Sequence, residues 1–193
     1  ALLEACIGRI ARTKALGLLS LSGLPESLRN HFEPLGSLLH YEAGKAPVGE
    51  CSYYRHLHED PGMEAWSCAE IEEYLRREYR RLALGREIRT VLDAGETRAG
   101  ASLLSADLHQ DRHEVTLRPL WPGEDFPANL ERHIRFLRNE GYLNICFELD
   151  LGVPWHVKLV PVLAAHRFEP GFILPFAGQS DLLILQNRDD AQS

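Results

Sequence analysis

The chain has 193 residues and a mass of 21.8 kDa, and its 21 Lys plus Arg against 28 Asp plus Glu give a formal charge of 21 − 28 = −7. Hydrophobic residues at 45% and charged residues at 25% fit a globular protein with a core and exclude disordered, collagenous and coiled-coil classes. With no basic run it is a poor nucleic-acid binder, and with no 18-residue apolar stretch it offers no membrane span.

From residue 1 to Ala15, the apolar Leu3, Ile7, Ile10 and Ala11 recur at helical spacing. Leu16–Leu21 reads as a strand. Leu24-Pro25-Glu26-Ser27 opens a second helix, with Pro where its missing N–H costs nothing, and Gly36 ends it. Ser37–Glu42 and Glu50–Leu57 read as strands around a turn at 44–49. The polar, turn-rich His58–Gly62 marks a boundary, so the chain divides into 1–60 and 61–193.

Ser67, with Glu70 three residues later, predicts a capping box for an amphipathic helix. Its inner face carries Ile71, Tyr74, Leu75, Tyr79 and Leu82, and Gly85 stops it. Glu72 before Arg76 and Glu73 before Arg77 describe a salt-bridged solvent face rather than a phosphate site. Three strand-like runs follow, Arg86–Leu92, Ala101–Leu108 and His113–Leu120, with turns at 94–96 and 109–111, which predicts an antiparallel meander. Pro127 starts a helix with Leu130, Ile134 and Leu137 on one face, ended at Gly141. Leu143–Leu149 is almost wholly apolar, as expected of a central strand covered on both faces. Pro154–His166 is a helix interrupted at Pro161, and Glu169–Phe176 with Asp181–Gln186 forms a closing hairpin.

Four cysteines, Cys6, Cys51, Cys68 and Cys146, show no C-x-x-C spacing, and a core-rich chain of this size has no need of disulfides. A reducing cytoplasm is expected. The chain opens inside an apparent helix with no signal-peptide pattern, as a fragment of a longer protein would.

The order helix–strand–helix–strand–strand occurs twice, in residues 1–57 and 127–187. At a separation of 127, Ala1 aligns with Ala128, Leu3 with Leu130, Glu4 with Glu131 and Ile7 with Ile134. Leu16 then aligns with Leu143, Leu24 with Leu151 and Pro34 with Pro161. A cryptic repeat is the reading these identities support.

From residue 68 onward the order is helix, three strands, helix, strand, helix and hairpin. The closing stretch runs Ala165-His166-Arg167-Phe168-Glu169-Pro170-Gly171-Phe172-Ile173-Leu174-Pro175-Phe176-Ala177-Gly178, then Asp181-Leu182-Leu183-Ile184-Leu185-Gln186. This arrangement resembles the GNAT (Gcn5-related N-acetyltransferase) superfamily. The resemblance implies an α/β fold with a mixed, mostly antiparallel sheet flanked by helices. It implies that residues 61–193 form a GNAT-like domain and that residues 1–60 are the second half of another, with the other domain of a longer protein as a partner. Coenzyme A or an acyl-CoA would be the cofactor of an active member.

GNAT enzymes hold the coenzyme pyrophosphate on a turn of the pattern Arg/Gln-x-x-Gly-x-Gly/Ala before a helix N-terminus. The corresponding stretch here is Pro119-Leu120-Trp121-Pro122-Gly123-Glu124-Asp125-Phe126-Pro127-Ala128-Asn129, which keeps Gly123 and leaves Gly123 and Asn129 as cofactor-binding candidates. Pro122 and Pro127 lack N–H donors, and Glu124 and Asp125 place negative charge where phosphates would sit. The family's Asn and general-acid Tyr fall on His156 and Leu163, and a leucine cannot donate a proton.

Glu148 and Asp150 lie two apart at the carboxyl end of the central strand, where ligands of open α/β sheets sit, and His156 begins the next helix. These three are the catalytic candidates, with a carboxylate accepting a proton from an amine. Pairing with Arg is the competing structural reading. Trp121, Phe126, Trp155 and Phe176 are either a pocket lining or core. His56 and His58 beside Glu59 and Asp60 have the makings of a zinc site, but a solvated strand end explains them better, and no metal is assigned.

Two functions follow as expectations. One is a GNAT-like module without standard acetyl transfer, binding a small ligand or a protein partner for regulation, with a homodimer as one form. The other is an N-acyltransferase with an unusual acyl donor.

Overall fold

The computed structural model describes residues 2–21, 23–91 and 100–188. It is a mixed α/β fold of three sheets with flanking helices. The predicted turn at 94–96, the start of the first helix at residue 1 and the last residues of the tail lie outside the described residues. Among those residues no helix is long and apolar enough to cross a membrane.

The first unit contains α1 (Leu2–Ile10), β1 (Gly17–Ser20), α2 (Glu26–Arg29), β2 (Glu33–His40) and β3 (Val48–His56). Its strands form an antiparallel sheet in the order β1-β3-β2. The second helix is a single turn, and β2 begins earlier than its sequence indicated, at Glu33 rather than Ser37. Gly36 therefore lies within a strand rather than ending a helix.

After the connector comes β4 (Met63–Ser67), then α3 (Glu72–Arg81) and β5 (Arg86–Thr90), with β4 and β5 parallel. This corrects two expectations. Ser67 does not cap a helix: it is the buried last residue of β4, its hydroxyl donates to the Cys68 carbonyl, and the helix starts five residues later, at Glu72, without a side-chain cap. The meander is also two-stranded rather than three-stranded, because β5 pairs with β4 instead of β6. A five-residue strand next to a polar turn carries too little pattern to outweigh a capping signal, and only the parallel partner 23 residues away declares it. Of the two expected helical ion pairs, Glu72–Arg76 forms at 2.7 Å, while Arg77 turns to Glu78 at 3.0 Å instead of Glu73.

The remaining elements are β6 (Leu103–His109), β7 (Glu114–Trp121), α4 (Phe126–Asn139), β8 (Asn144–Asp150), α5 (Pro154–Val157), α6 (Val160–Ala165), β9 (Phe168–Leu174) and β10 (Leu182–Asn187). They build a five-stranded sheet ordered β6-β7-β8-β10-β9, antiparallel except for β7 and β8. Pro161 stands at the start of α6, so the expected long helix is two short ones. Strand β8 alternates Ile145, Phe147 and Leu149 toward the core with Asn144, Cys146 and Glu148 toward the other face. Phe147 packs edge-on against Phe126 of α4 and Phe168 of β9, with ring centroids 6.2 and 6.0 Å apart.

The repeat is visible in the topology. Helix α1 and sheet β1-β3-β2 match α4 and sheet β8-β10-β9 in order and in strand direction. Both hairpins follow Phe-Glu-Pro, Phe32-Glu33-Pro34 and Phe168-Glu169-Pro170, and both bulge at the next residue, Leu35 and Gly171. Here the separation is 168 − 32 = 136, so the alignment of Pro34 with Pro161 gives way to Pro34 with Pro170. The additional nine residues fall between β8 and β9, where two short helices replace the single turn of α2.

The two bulges pack back to back. A Cβ on Gly36 would lie 2.5 Å from the Gly171 carbonyl, and one on Gly171 would collide with Leu38. Strand β2 thus crosses beside β9, and its outer edge is satisfied by side chains rather than by a strand. The Gln186 carboxamide accepts from Leu39 N at 2.8 Å and donates to Leu39 O. Two residues on, Asn144 accepts from Tyr41 N at 2.8 Å and donates to Tyr41 O at 3.1 Å. Each carboxamide stands in for one peptide of a neighbouring strand. Together they clasp the first sheet onto the second.

Candidate functional site

The β7–α4 turn carries Gly123, and its backbone is already covered. Any Cβ at 123 would strike the backbone of Gly100, Ala101 and Ser102. The Asp125 carboxylate accepts Ser102 N–H at 2.5 Å, and these bonds to Ser102 hold its carboxyl below the usual range. Asn129, one turn into α4, donates from Nδ2 to Ser102 O at 3.0 Å and to Ser102 Oγ at 2.9 Å. Gly123 and Asn129 are therefore brought together, but around a segment of the chain itself. A pyrophosphate does not fit this turn: its space holds main chain and its nearest side chain is an anion.

At the carboxyl end of β8, Asp150 and His156 also meet, without facing each other as a catalytic pair. The Asp150 carboxylate accepts N–H groups from Gly152 at 2.8 Å, Gln179 at 2.7 Å and Ser180 at 3.3 Å. It lies against Gly178, where a Cβ would come within 2.6 Å of Asp150 Cγ. Asp150 thus ties the β9–β10 loop to β8. His156 Nδ1 accepts the Asp150 backbone N–H at 3.0 Å, and burial lowers its pKa to about 4 despite the Asp150 charge. At neutral pH it is an uncharged backbone acceptor.

Glu148 turns elsewhere. It faces a cleft of about 340 Å³ between the first sheet and the polar face of the five-stranded sheet. Backbone pairing of β7 with β8 ends at Leu117 and Phe147, and at the next register position Arg118 Nε donates to Glu148 Oε1 at 2.8 Å. Arg118 also approaches Asp107 at 3.7 Å, while Arg112 pairs with Glu50 and, at 3.4 Å, with Glu114. Four carboxylates thus share two guanidinium groups, leaving two negative charges in excess. Leu38, Phe172, Leu174 and Ile184 supply an apolar wall. Cys146 is on the floor, and burial, with Glu114 nearby, pushes its thiol up to about 12, so it is no thiolate nucleophile.

Of the residues lining this cleft, the sequence pattern singles out Glu148 but not Arg112, Arg118, Glu114, Asp107 or Glu50. A signal for part of this set was present: Glu114, Thr116 and Arg118 alternate with Val115 and Leu117, marking one polar face of β7. The expected aromatic lining divides, with Phe126 in the core, Trp121 exposed and Phe176 under the Arg86 guanidinium at 4.6 Å. The histidines near the boundary are spoken for, His56 Nε2 lying 3.2 Å from the Leu82 carbonyl and His58 Nε2 3.1 Å from that of Thr13. Among the described residues no group of His, Cys, Asp and Glu could hold a metal ion.

Comparison with family models, with curated proteins and with solved structures returns no match.

Proposed function

We propose that the chain is a GNAT-like module that has abandoned standard acetyl-CoA transfer and binds a small cationic ligand with an apolar body in the cleft between its sheets, in a regulatory role. The observation that carries this reading is the filled β7–α4 turn, where Gly100–Ser102 and Asp125 take the place of a phosphate cradle. The class of ligand follows from the cleft's two uncompensated carboxylates and its leucine, isoleucine and phenylalanine wall. Glu148 is the contact residue, because Arg118 uses Oε1 and leaves Oε2 for a ligand donor.

Calorimetric titration tests this with acetyl-CoA, free coenzyme A, hexylamine and hexanoate, against the natural chain and a Glu124→Gly/Asp125→Ala variant. The expected result is no coenzyme binding to the natural chain, and binding of hexylamine but not hexanoate. Micromolar binding of acetyl-CoA would overturn it in favour of the second reading, an N-acyltransferase with an unusual donor. The observation favouring that alternative is the parting of β7 from β8 after Leu117 and Phe147, with Glu148 at the opening.

A further inference from the structure

The two repeated units differ at one edge. In the second unit β8 is flanked by β7, which runs parallel to it with Glu114 opposite Asn144 and Leu117 opposite Phe147. In the first unit the equivalent strand β1 is the outermost strand of its sheet. The helices differ in the same way. Helix α4 buries Phe126, Asn129, Leu130, Ile134 and Leu137, whereas none of the described α1 side chains, Glu4 to Ile10, is buried. Ile7, which aligns with the buried Ile134, is only half-covered.

The β1 edge also lacks what keeps open edges apart. Gly17-Leu18-Leu19-Ser20 has no charge, no proline and no bulge, and Leu19 is exposed. Helix α4 is the crossover that joins β7 to the parallel β8, and α1 stands in the same place before β1. Such crossovers are right-handed, so the position of the missing neighbour relative to α1 and β1 is determined.

We propose that the outer edge of β1, together with the apolar side of α1, docks a β-strand from a further domain of the same polypeptide. This strand runs parallel to β1 and connects to it through α1. It alternates apolar and polar residues as β7 does, with the apolar set turned toward α1. At the separation of 127 shared by α1–β1 and α4–β8, its residue equivalent to Glu114 pairs with Gly17, since 144 − 127 = 17, and that equivalent to Leu117 pairs with Ser20, since 147 − 127 = 20.

A graft tests this on the full chain. A second copy of residues 100–127 is placed directly before Ala1, so that its Pro127 precedes Ala1 as the native Pro127 precedes Ala128. Backbone hydrogen exchange is read at Gly17–Ser20 and Ile7–Ile10, with β8 amides as the internal control for folding. The graft is expected to slow exchange at these positions at least tenfold. The same graft carrying Val115→Asp and Leu117→Asp in the grafted copy only is expected to leave exchange unchanged. Unchanged exchange with the first graft, equal protection by both, or loss of β8 protection in either grafted chain would overturn the proposal. Coenzyme and amine titrations do not enter, so this result stands or falls apart from the ligand reading.

Discussion

The first unit, α1-β1-α2-β2-β3, and the second, α4-β8-α5-α6-β9-β10, share topology, a Phe-Glu-Pro hairpin entry and a bulge after it, yet differ in how deeply they are buried. Strand β8 has five of its seven residues buried, while β1 has none. Local grammar therefore decides the path of the chain, and the neighbours decide how much stability that path yields. In the second unit Leu149 lies on the core face of β8 with no exposure. In the first, Leu19 is 43% exposed.

The most direct test of this contrast is a pair of truncations. Leu149→Ala leaves a cavity in the main core and is expected to cost about 2–5 kcal/mol, whereas Leu19→Ala stays within about 0.5 kcal/mol, both read by denaturant unfolding. If the two costs are alike, the first unit packs better than its burial indicates.

The buried ion pairs sharpen the contrast next. Arg86, with no side-chain exposure, binds Asp60 of the connector and Asp181 of the β9–β10 loop, each at 2.7 Å. Arg86→Met strands both carboxylates and is expected to cost about 3–5 kcal/mol, with Asp181→Asn recovering part of it in the double variant. The full cost persisting in the double variant would argue for lost packing on Phe176 instead.

The clasp between the units is worth less. Gln186→Leu or Asn144→Leu leaves the Leu39 or Tyr41 peptide unpaired, at about 1–3 kcal/mol each. Hydrogen exchange should then rise in β2 before β8, and a uniform rise across both sheets would show that the units unfold as one.

A further effect is in pH. His156 has a folded pKa of about 4 against 6.5 for the free side chain, so the unfolded chain takes up a proton first. Stability is complete above pH 6.5 and falls as pH drops toward 4. Gln can keep the acceptor for Asp150 N–H without titrating, so His156→Gln should flatten that slope in unfolding midpoints measured between pH 4 and 7. An unchanged slope would place the titrating group elsewhere.

Strong periodicity was legible. Leu130, Ile134 and Leu137 marked α4, the apolar run Leu143–Leu149 marked the central strand, and Asp181–Gln186 marked the last strand. The repeat was legible in its first half and lost in its second, because nine additional residues before β9 shifted Phe168-Glu169-Pro170 out of the alignment. Strand β4 was not legible, since its identity rests on a parallel partner beyond a helix. Of the candidate cleft, the sequence pattern points to Glu148, whereas Asp150, a candidate base by its place at the strand end, has its carboxylate held by three peptide N–H groups from two loops. No spacing in the sequence brings Gln179 and Ser180 to Asp150.

What the sequence determined by itself is the α/β class, the order of most elements and a β7–α4 turn short of N–H donors and rich in acid, because periodicity, proline and charge act over a few residues. The tertiary structure alone decided that Ser102 fills that turn, that β5 leaves the meander for β4, and that Arg112 and Arg118 meet four carboxylates across two sheets. Those outcomes depend on contacts between segments far apart in the chain, whose free energy exists only once both segments are in place.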